Sequence, residues 1–276
     1  MTEKFFSDGA SLPIQTISIL QAHSQADRET LLAVQYAVRQ LCVQKDDTGM
    51  PIDPVQREVY LSLMETCYRL QRQIACSEEL LSYEKGLRNT AVEFDLCRIL
   101  RRFVNLIEEL TDGRIAIGAC TIPHGLYARM HPERLNFALL HMMERMLWEM
   151  PEANMMDFSA KCVQKDLRIE MRFWRDPDRN SEPLQFLTPV DEKGMLPDSP
   201  INLTKYFCEC YQARILRQAS DGKTVCSLVL PAARALNPLL KVSSDSAKLL
   251  DDTLFRAVLS NFVSVETMLT SASDWE

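Results

Sequence analysis

The stretch His131-Pro-Glu-Arg-Leu-Asn-Phe-Ala-Leu-Leu-His-Met-Met-Glu-Arg-Met146 carries the most information about the fold of this chain. Its apolar side chains recur every three or four residues, which is the spacing of an amphipathic helix. One stripe is formed by Leu135, Leu139, Met142 and Met146. The spacing therefore predicts a helix over residues 132–149 that buries this stripe in a core.

The chain of 276 residues has the composition of an ordinary globular protein, with 46% apolar and 25% charged residues. Its net charge of −7 argues against a nucleic-acid partner, because such binding needs a basic face that displaces phosphate counterions. No apolar run approaches the roughly 18 residues that a membrane span requires. The N-terminus also lacks the basic start and apolar core of a signal peptide. We therefore expect a cytoplasmic protein without a membrane span.

Nine cysteines are scattered along the chain without a Cys-x-x-Cys pair, which is typical of reduced core thiols. The one close pair is Cys208 and Cys210, whose side chains would point about 200° apart on a helix. That angle argues against a shared metal ion. No spacing typical of a metal site or of a hydrolase nucleophile is present. The sequence therefore predicts no metal site.

Two long helices are predicted in the first third of the chain. Residues 13–43 and 55–83 each repeat apolar side chains at bundle spacing, and the stretch between them is dense in Gly, Pro and Asp. Such a pair forms an antiparallel helical hairpin. A lone hairpin cannot cover both apolar seams, so we expect a homodimer in which two hairpins form a four-helix bundle. Ser24 and Asp27 interrupt the first seam with polar groups.

The remaining chain alternates predicted helices and strands. Helices are expected over 95–110, 132–149 and 201–213, and strands over 114–118, 167–173, 214–217 and 224–230. Residues 86–93 are expected to form a connector, and 175–200 a loop. A final amphipathic helix is expected over 247–269, with a stripe of Leu250, Leu254, Val258 and Phe262. The sequence leaves open whether this helix packs on the core or recruits a partner.

The order of these elements resembles the catalytic core of sensor histidine kinases. Such a core has a dimerisation and phosphotransfer hairpin followed by an α/β sandwich that binds ATP. Five stretches are similar to landmarks of that family: Tyr68–Ile74 in the second hairpin helix, Val92–Leu96 at the start of the sandwich, His131–Leu140 in the nucleotide-binding helix, and Arg214–Ile215 with Leu228–Pro231 in the closing strands. The resemblance covers roughly residues 20–231.

The resemblance implies an α+β fold, with a long antiparallel helical hairpin followed by an α/β sandwich of the histidine kinase ATPase type. Residues 1–88 would form the hairpin and residues 89–235 a degenerate ATPase domain. Residues 236–276 would form a C-terminal helical extension.

The phosphoacceptor motif of the family usually reads His-Glu-Leu-Arg-x-Pro-Leu-x-x-Ile, and its best match here starts at Gln25. Arg28, Leu31 and Val34 fall on motif positions, but Gln25 replaces the histidine. A glutamine amide cannot carry a labile phosphoryl group. His23 lies two residues upstream and would face about 200° away on a straight helix. It is either a displaced acceptor or an ordinary surface residue.

The magnesium motif of the family has two asparagines four residues apart, and His141 and Arg145 stand at those positions here. An asparagine carbonyl is a hard oxygen ligand suited to Mg²⁺, whereas a guanidinium repels the ion. The alternatives for Arg145 are an exposed helix residue or a direct phosphate contact. His141 is expected to be a partly buried polar residue.

The adenine and lid motifs of the family are also degenerate in this chain. The adenine motif Asp-x-Gly-x-Gly is replaced by residues 173–179, where Asp176 or Asp178 supplies an acid without glycines. The lid motif Gly-x-Gly-x, which cradles phosphate at a helix N-terminus, aligns with residues 198–201. Asp198 brings a negative charge there, and Pro200 lacks an N–H. Four degenerate motifs together predict that the site for ATP and Mg²⁺ is lost.

Three functions are consistent with this pattern. The favoured one is a pseudokinase that dimerises and binds a response regulator or a sensor kinase in two-component signalling. The second is a phosphorelay histidine phosphotransferase that uses His23. The third is an active but divergent sensor histidine kinase. An unrelated α/β interaction protein is a further alternative, which a different topology would reveal.

Overall fold

The structure, a computed structural model, describes residues 14–43, 53–84, 92–179, 203–220, 222–231, 252–260 and 262–265. It is an α+β fold in which a helical hairpin precedes a mixed sheet covered by helices on one face. None of the helices in these ranges is long and apolar enough to cross a membrane.

The hairpin consists of α1, Ile14–Val43, and α2, Pro54–Glu84. The Gln35 amide donates to Gln71 at 2.9 Å, and Arg28 lies 3.6 Å from Glu78. Residue numbers therefore rise along one helix as they fall along the other, so the two helices are antiparallel. The bounds of the two helices agree with the predicted ranges within two residues.

A five-stranded sheet forms the centre of the sandwich. Its strands are β2 (Ala116–Thr121), β4 (Met155–Val163), β5 (Asp166–Trp174), β6 (Arg214–Ser220) and β7 (Lys223–Pro231), and they lie in the order β2-β4-β5-β7-β6. β2 and β4 are parallel, and the other pairs are antiparallel. β1 (Val92–Asp95) and β3 (Tyr127–Met130) form a separate antiparallel pair.

Three of these strands were not predicted from the sequence. β1 and β3 are only four residues long, which is too short for an alternating pattern to stand out. β4 does alternate, with Met156, Phe158 and Ala160 buried, but methionine and alanine contribute little β-propensity. The predicted strand over 114–118 begins two residues later, at Ala116.

The two faces of the sheet differ in polarity. On β5, Leu167, Ile169, Met171 and Phe173 are buried on the helical side, while Arg168, Glu170 and Arg172 alternate with them on the open side. Glu170 lies at the centre of a polar network there. Lys161 is 2.9 Å from its carboxylate, Arg168 is 3.0 Å away, and Ser227 donates to it at 3.3 Å.

Helices α3 (Leu96–Leu110), α4 (Pro132–Glu149) and α5 (Leu203–Tyr211) belong to the sandwich. The Asp95 carboxylate caps α3 by accepting from the Cys97 N–H at 2.9 Å. Pro132 occupies the first turn of α4, where no N–H donor is needed. The predicted stripe of Leu135, Leu139, Met142 and Met146 lies in the core, with each residue at most 4% exposed.

The last helix, α6, spans Asp252–Leu259 and contacts α2, α3 and α4. The predicted helix over 247–269 is therefore wrong at its C-terminal end, because the helix ends at Leu259. The Ser260 hydroxyl donates to the Ala257 carbonyl, and the Phe262 N–H donates to the Leu259 carbonyl, so a tight turn follows. Residues 247–251 and 266–269 lie outside the described ranges.

Candidate functional site

One side of α4 faces the second helix of the hairpin and carries polar side chains. Arg134, Phe137, His141 and Glu144 recur at intervals of three and four residues, so they share one side of the helix. Arg134, Phe137 and Glu144 are each less than 9% exposed, and the His141 side chain is 10% exposed. The predicted magnesium position at His141 therefore lies beside the contact between α4 and the hairpin.

The centre of this contact is an ion pair between Arg72 of α2 and Glu144 of α4. The Arg72 Nη2 donates to Glu144 Oε1, and the two side chains are 3% and 5% exposed. Burying two charges costs desolvation energy, which their attraction must offset. Loss of either partner would leave a buried charge without compensation, so the pair favours one arrangement of α4 on α2.

A second bridge joins the same two helices closer to the C-terminus of α2. Arg134 Nε lies 3.8 Å from Glu79 Oε1, and the Arg134 guanidinium lies 4.4 Å from the centre of the Tyr83 ring. Tyr83 stacks on Tyr206 of α5 with 6.0 Å between ring centres. Burial and the neighbouring Glu79 carboxylate raise the pKa of Tyr83, so its hydroxyl stays protonated.

His141 is held between an aromatic ring and a carboxylate. Its Nδ1 lies 3.2 Å from Glu144 Oε2, and its ring centre lies 4.7 Å from that of Phe137. Among the described residues, no group forms a hydrogen bond with its buried Nε2. Glu144 is therefore shared between His141 and Arg72.

Arg145 lies in different surroundings from His141, although only four residues separate them. Its side chain is 81% exposed, and its Nε lies 3.4 Å from Glu149 Oε1 in an ion pair on the surface of α4. Arg217 of β6 donates to the same carboxylate at 2.6 Å. Arg145 therefore belongs to the outer surface of the sandwich rather than to a cleft.

The segment after β5 is fixed by Asn154, which is 1% exposed. The Asn154 side chain accepts from the Asp176 N–H at 2.8 Å and donates to the Asp176 carbonyl at 3.1 Å. The Asp176 carboxylate accepts from the Asp178 N–H at 3.1 Å, and Arg179 donates to the Gly113 carbonyl. Asp176 and Asp178 are therefore part of a hydrogen-bonded turn. The described part of the chain contains no cluster of residues suited to a metal ion.

The predicted phosphoacceptor position lies on an exposed part of α1. Gln25 donates to Glu29 at 3.4 Å, and both residues line a hollow of about 520 Å³ with Arg28, Leu32 and Glu78. His23 is also exposed but is not among the lining residues. The hollow contains one basic and two acidic side chains.

No family model matches this sequence, and no curated protein matches it. Solved structures do match the fold. The full-length protein ShkA, determined in complex with AMPPNP, is 16% identical, with a TM-score of 0.51 over 80% of this chain and 47% of its own. The Acinetobacter baumannii histidine kinase AdeS is 12% identical, with a TM-score of 0.44 over 75% of this chain and 97% of its own. A histidine kinase from Burkholderia phymatum is 17% identical, with a TM-score of 0.38 over 78% of this chain and 98% of its own.

The chain has the fold of a histidine kinase catalytic core. At this level of identity the similarity concerns the fold alone. The chain spans about half of ShkA, at 47% of its length. The predicted fold class is confirmed, while the division at residues 88 and 235 stays a prediction.

Within this histidine kinase fold the predicted motif positions fall in four different surroundings. Gln25 lies on the exposed hairpin, His141 beside the α2–α4 contact, and Arg145 on the outer surface. Asp176 lies in the turn after β5. Asp198 lies outside the described residues. The roles assigned to these positions stay predictions.

The buried network of Arg72, Glu79, Arg134 and Glu144 was not predicted from the sequence. One pattern pointed to it, because Arg134 and Glu144 share a side of α4 with Phe137 and His141. Arg72 and Glu79 are seven residues apart and so share a side of α2. Charged residues at the spacing of a buried stripe indicate ion pairs between helices.

Proposed function

We propose that this chain is a histidine-kinase-like signalling protein that does not bind Mg-ATP and acts by dimerisation and partner binding. The proposal rests on the surroundings of the two predicted magnesium positions, His141 and Arg145. His141 lies beside the buried Arg72–Glu144 pair, and Arg145 lies exposed in an ion pair with Glu149. Neither side chain offers the carbonyl oxygen that Mg²⁺ prefers.

Calorimetric and thermal-shift titrations with Mg-ATP test the loss of nucleotide binding. A ligand that binds only the native state must stabilise it, by about 2.7 kcal/mol at a concentration 100 times its Kd. We expect neither saturable heat nor a rise in the unfolding midpoint at millimolar Mg-ATP. A nucleotide-binding histidine kinase core under the same conditions is the positive control. Saturable stabilisation of this chain would support the divergent-kinase alternative instead.

The double variant His141→Asn with Arg145→Asn sharpens this test. It restores both asparagine carbonyls but leaves the Arg72–Glu144 pair and the lid sequence unchanged. We expect it to remain without Mg-ATP binding, because two oxygen ligands do not supply the missing phosphate and adenine contacts. Binding by the double variant would show that the two substitutions alone account for the loss.

The proposed dimer uses an exposed apolar stripe along the hairpin. Exposed side chains on it include Val34 (40%) and Leu41 (37%) of α1, and Val59 (60%), Leu63 (42%) and Leu70 (46%) of α2. Because Gln35 faces Gln71 across an antiparallel pair, Val34 and Leu70, each one position before them, lie on the same face of the hairpin. Exposed apolar side chains in such a row are unfavourable in water, and a second copy of the same hairpin would cover them.

The proposed partner surface is the hollow around Gln25, and the proposed partner is a response regulator or a sensor kinase. Arg28 and Glu78 form a partly exposed ion pair in it, with side chains 40% and 27% exposed. Charges at such a rim set orientation and association rate. The variant Arg28→Glu should weaken capture of a cognate regulator, with Tyr36→Glu, elsewhere on α1, as the control. Equal capture by both variants would exclude the hollow.

The phosphorelay alternative depends on His23, which is exposed on α1. A phosphotransfer histidine must reach the regulator that docks beside it. His23 is not among the residues that line the hollow, whereas Gln25 is. The variant His23→Ala decides between a phosphorelay protein and the proposed non-catalytic protein, since only the phosphorelay protein would lose phosphoryl transfer between regulators.

A further inference from the structure

From Phe255 to Leu259, helix α6 is buried on every side, unlike an ordinary surface helix with one apolar stripe. Phe255, Ala257, Val258 and Leu259 are each at most 1% exposed, and Arg256 is 9% exposed. Phe262 and Val263, which follow the helix, are also buried, at most 1% exposed. The part of α6 from Phe255 to Leu259 is therefore enclosed by other elements of the chain.

On one side α6 packs into the sandwich. The Phe255 ring meets the edge of Phe103 of α3, with 5.3 Å between centres, and Phe103 in turn lies 5.9 Å from Phe158 of β4. Such edge contacts add to the apolar area that these rings bury. The three rings form a continuous path from α6 through α3 to the sheet.

On the other side α6 packs against the hairpin. Arg256 donates a hydrogen bond to the Tyr68 hydroxyl of α2, and Arg39 of α1 lies close enough to act on the same hydroxyl. Burial raises the pKa of Tyr68, and the Arg256 and Arg39 charges oppose that rise. Met64 and Tyr68 of α2 belong to the same buried cluster as Phe255 and Phe103. Different sides of α6 thus contact two different units.

We propose that α6 is an internal clamp that fixes the sandwich on the hairpin, so that both units unfold and move as one body. Units joined by a small polar interface move relative to each other by default, whereas a large apolar interface prevents this. The clamp also keeps the side of α4 that carries His141 against α2. This inference goes beyond the proposed function, because it holds whether or not the chain binds nucleotide.

Thermal unfolding followed by two probes tests the clamp. The chain has three tryptophans, Trp148, Trp174 and Trp275. In a Trp275→Phe background, fluorescence therefore reports on the sandwich alone. Circular dichroism at 222 nm reports mainly on the hairpin, whose helices of 30 and 31 residues exceed all other described helices together. Coincident transitions by the two probes indicate a single cooperative unit.

We expect the two midpoints to coincide in this background and to separate by about 3 °C or more when Phe255→Ala is added. Val163→Ala, which truncates an exposed residue of β4, is the control and should leave them coincident. Phe255→Leu replaces Phe255→Ala if the latter does not fold. Separate midpoints without any α6 substitution would overturn the proposal. Coincident midpoints in the α6 variant would also overturn it, because coupling would then not depend on α6.

Discussion

Arg72 of the hairpin and Glu144 of α4 form an ion pair that joins two structural units and is almost completely buried. A pair of this kind contributes little net stability compared with well-packed apolar residues, but it penalises any arrangement that separates its charges. Its position beside His141 links the arrangement of the hairpin to that of α4.

Removing one partner of this pair should be strongly destabilising. Glu144→Gln leaves the Arg72 charge buried without a counter-charge, and we expect a loss of about 3–5 kcal/mol in the free energy of unfolding. The double variant Arg72→Met with Glu144→Leu should recover most of that loss. Urea denaturation with a constant slope measures both effects.

Arg145→Ala is the matched control, because it breaks an ion pair on the exposed surface of the same helix. Such pairs contribute about 0.5 kcal/mol or less. An equal loss in Glu144→Gln and Arg145→Ala would contradict the importance of burial.

The apolar stripe on the hairpin should determine the oligomeric state. The double variant Leu63→Glu with Leu70→Glu places two charges on it, and we expect a shift from dimer to monomer in sedimentation or light-scattering measurements. Tyr36→Glu substitutes a residue that is 67% exposed on α1 away from the stripe, and it should remain dimeric. A dimer that persists in the stripe variant would place the interface elsewhere.

Acid should remove the stability that Glu170 contributes on the open face of the sheet. Burial alone would raise its pKa, but the hydrogen bond from Lys161 and the charges of Arg168 and Lys161 outweigh burial and lower it below the ordinary 4.5. Because the folded-state pKa is the lower one, the stabilisation is present above pH 4.5 and disappears as the pH falls through the folded-state value.

The variant Glu170→Gln tests the direction of this pH dependence. Its deficit in unfolding free energy relative to the unmodified chain should be largest near neutral pH and should shrink below about pH 4.5. A deficit that grows on acidification would mean that burial dominates the pKa of this carboxyl.

The elements that the sequence predicted are those with long periodic patterns. The hairpin helices and α3, α4 and the β6–β7 pair each repeat apolar residues over enough length to stand out. The short strands β1 and β3 lack that length, and the end of α6 depends on a side-chain bond from Ser260 that has no periodic pattern. The periodic pattern of apolar residues therefore predicted the architecture better than it predicted where each helix and strand begins and ends.

The surroundings of the candidate site depend on contacts between distant residues. His141 and Arg145 are the two predicted magnesium positions and lie four residues apart, yet His141 is enclosed beside the α2–α4 contact and Arg145 is exposed. Arg72 and Glu144 are separated by 72 positions, and nothing local to either residue specifies the other. The predicted motif positions were visible in the sequence, whereas the network around them required the tertiary structure.

The hydrogen bond between Gln35 and Gln71 sets the register of the hairpin. Both amides are buried between α1 and α2, at 7% and 4% exposure. If one helix slid along the other, each amide would face apolar neighbours without a partner, at a cost of about 1–3 kcal/mol for each group. Relative motion of the two helices is therefore restricted to rotation or bending, because translation would break the buried polar bond that aligns them.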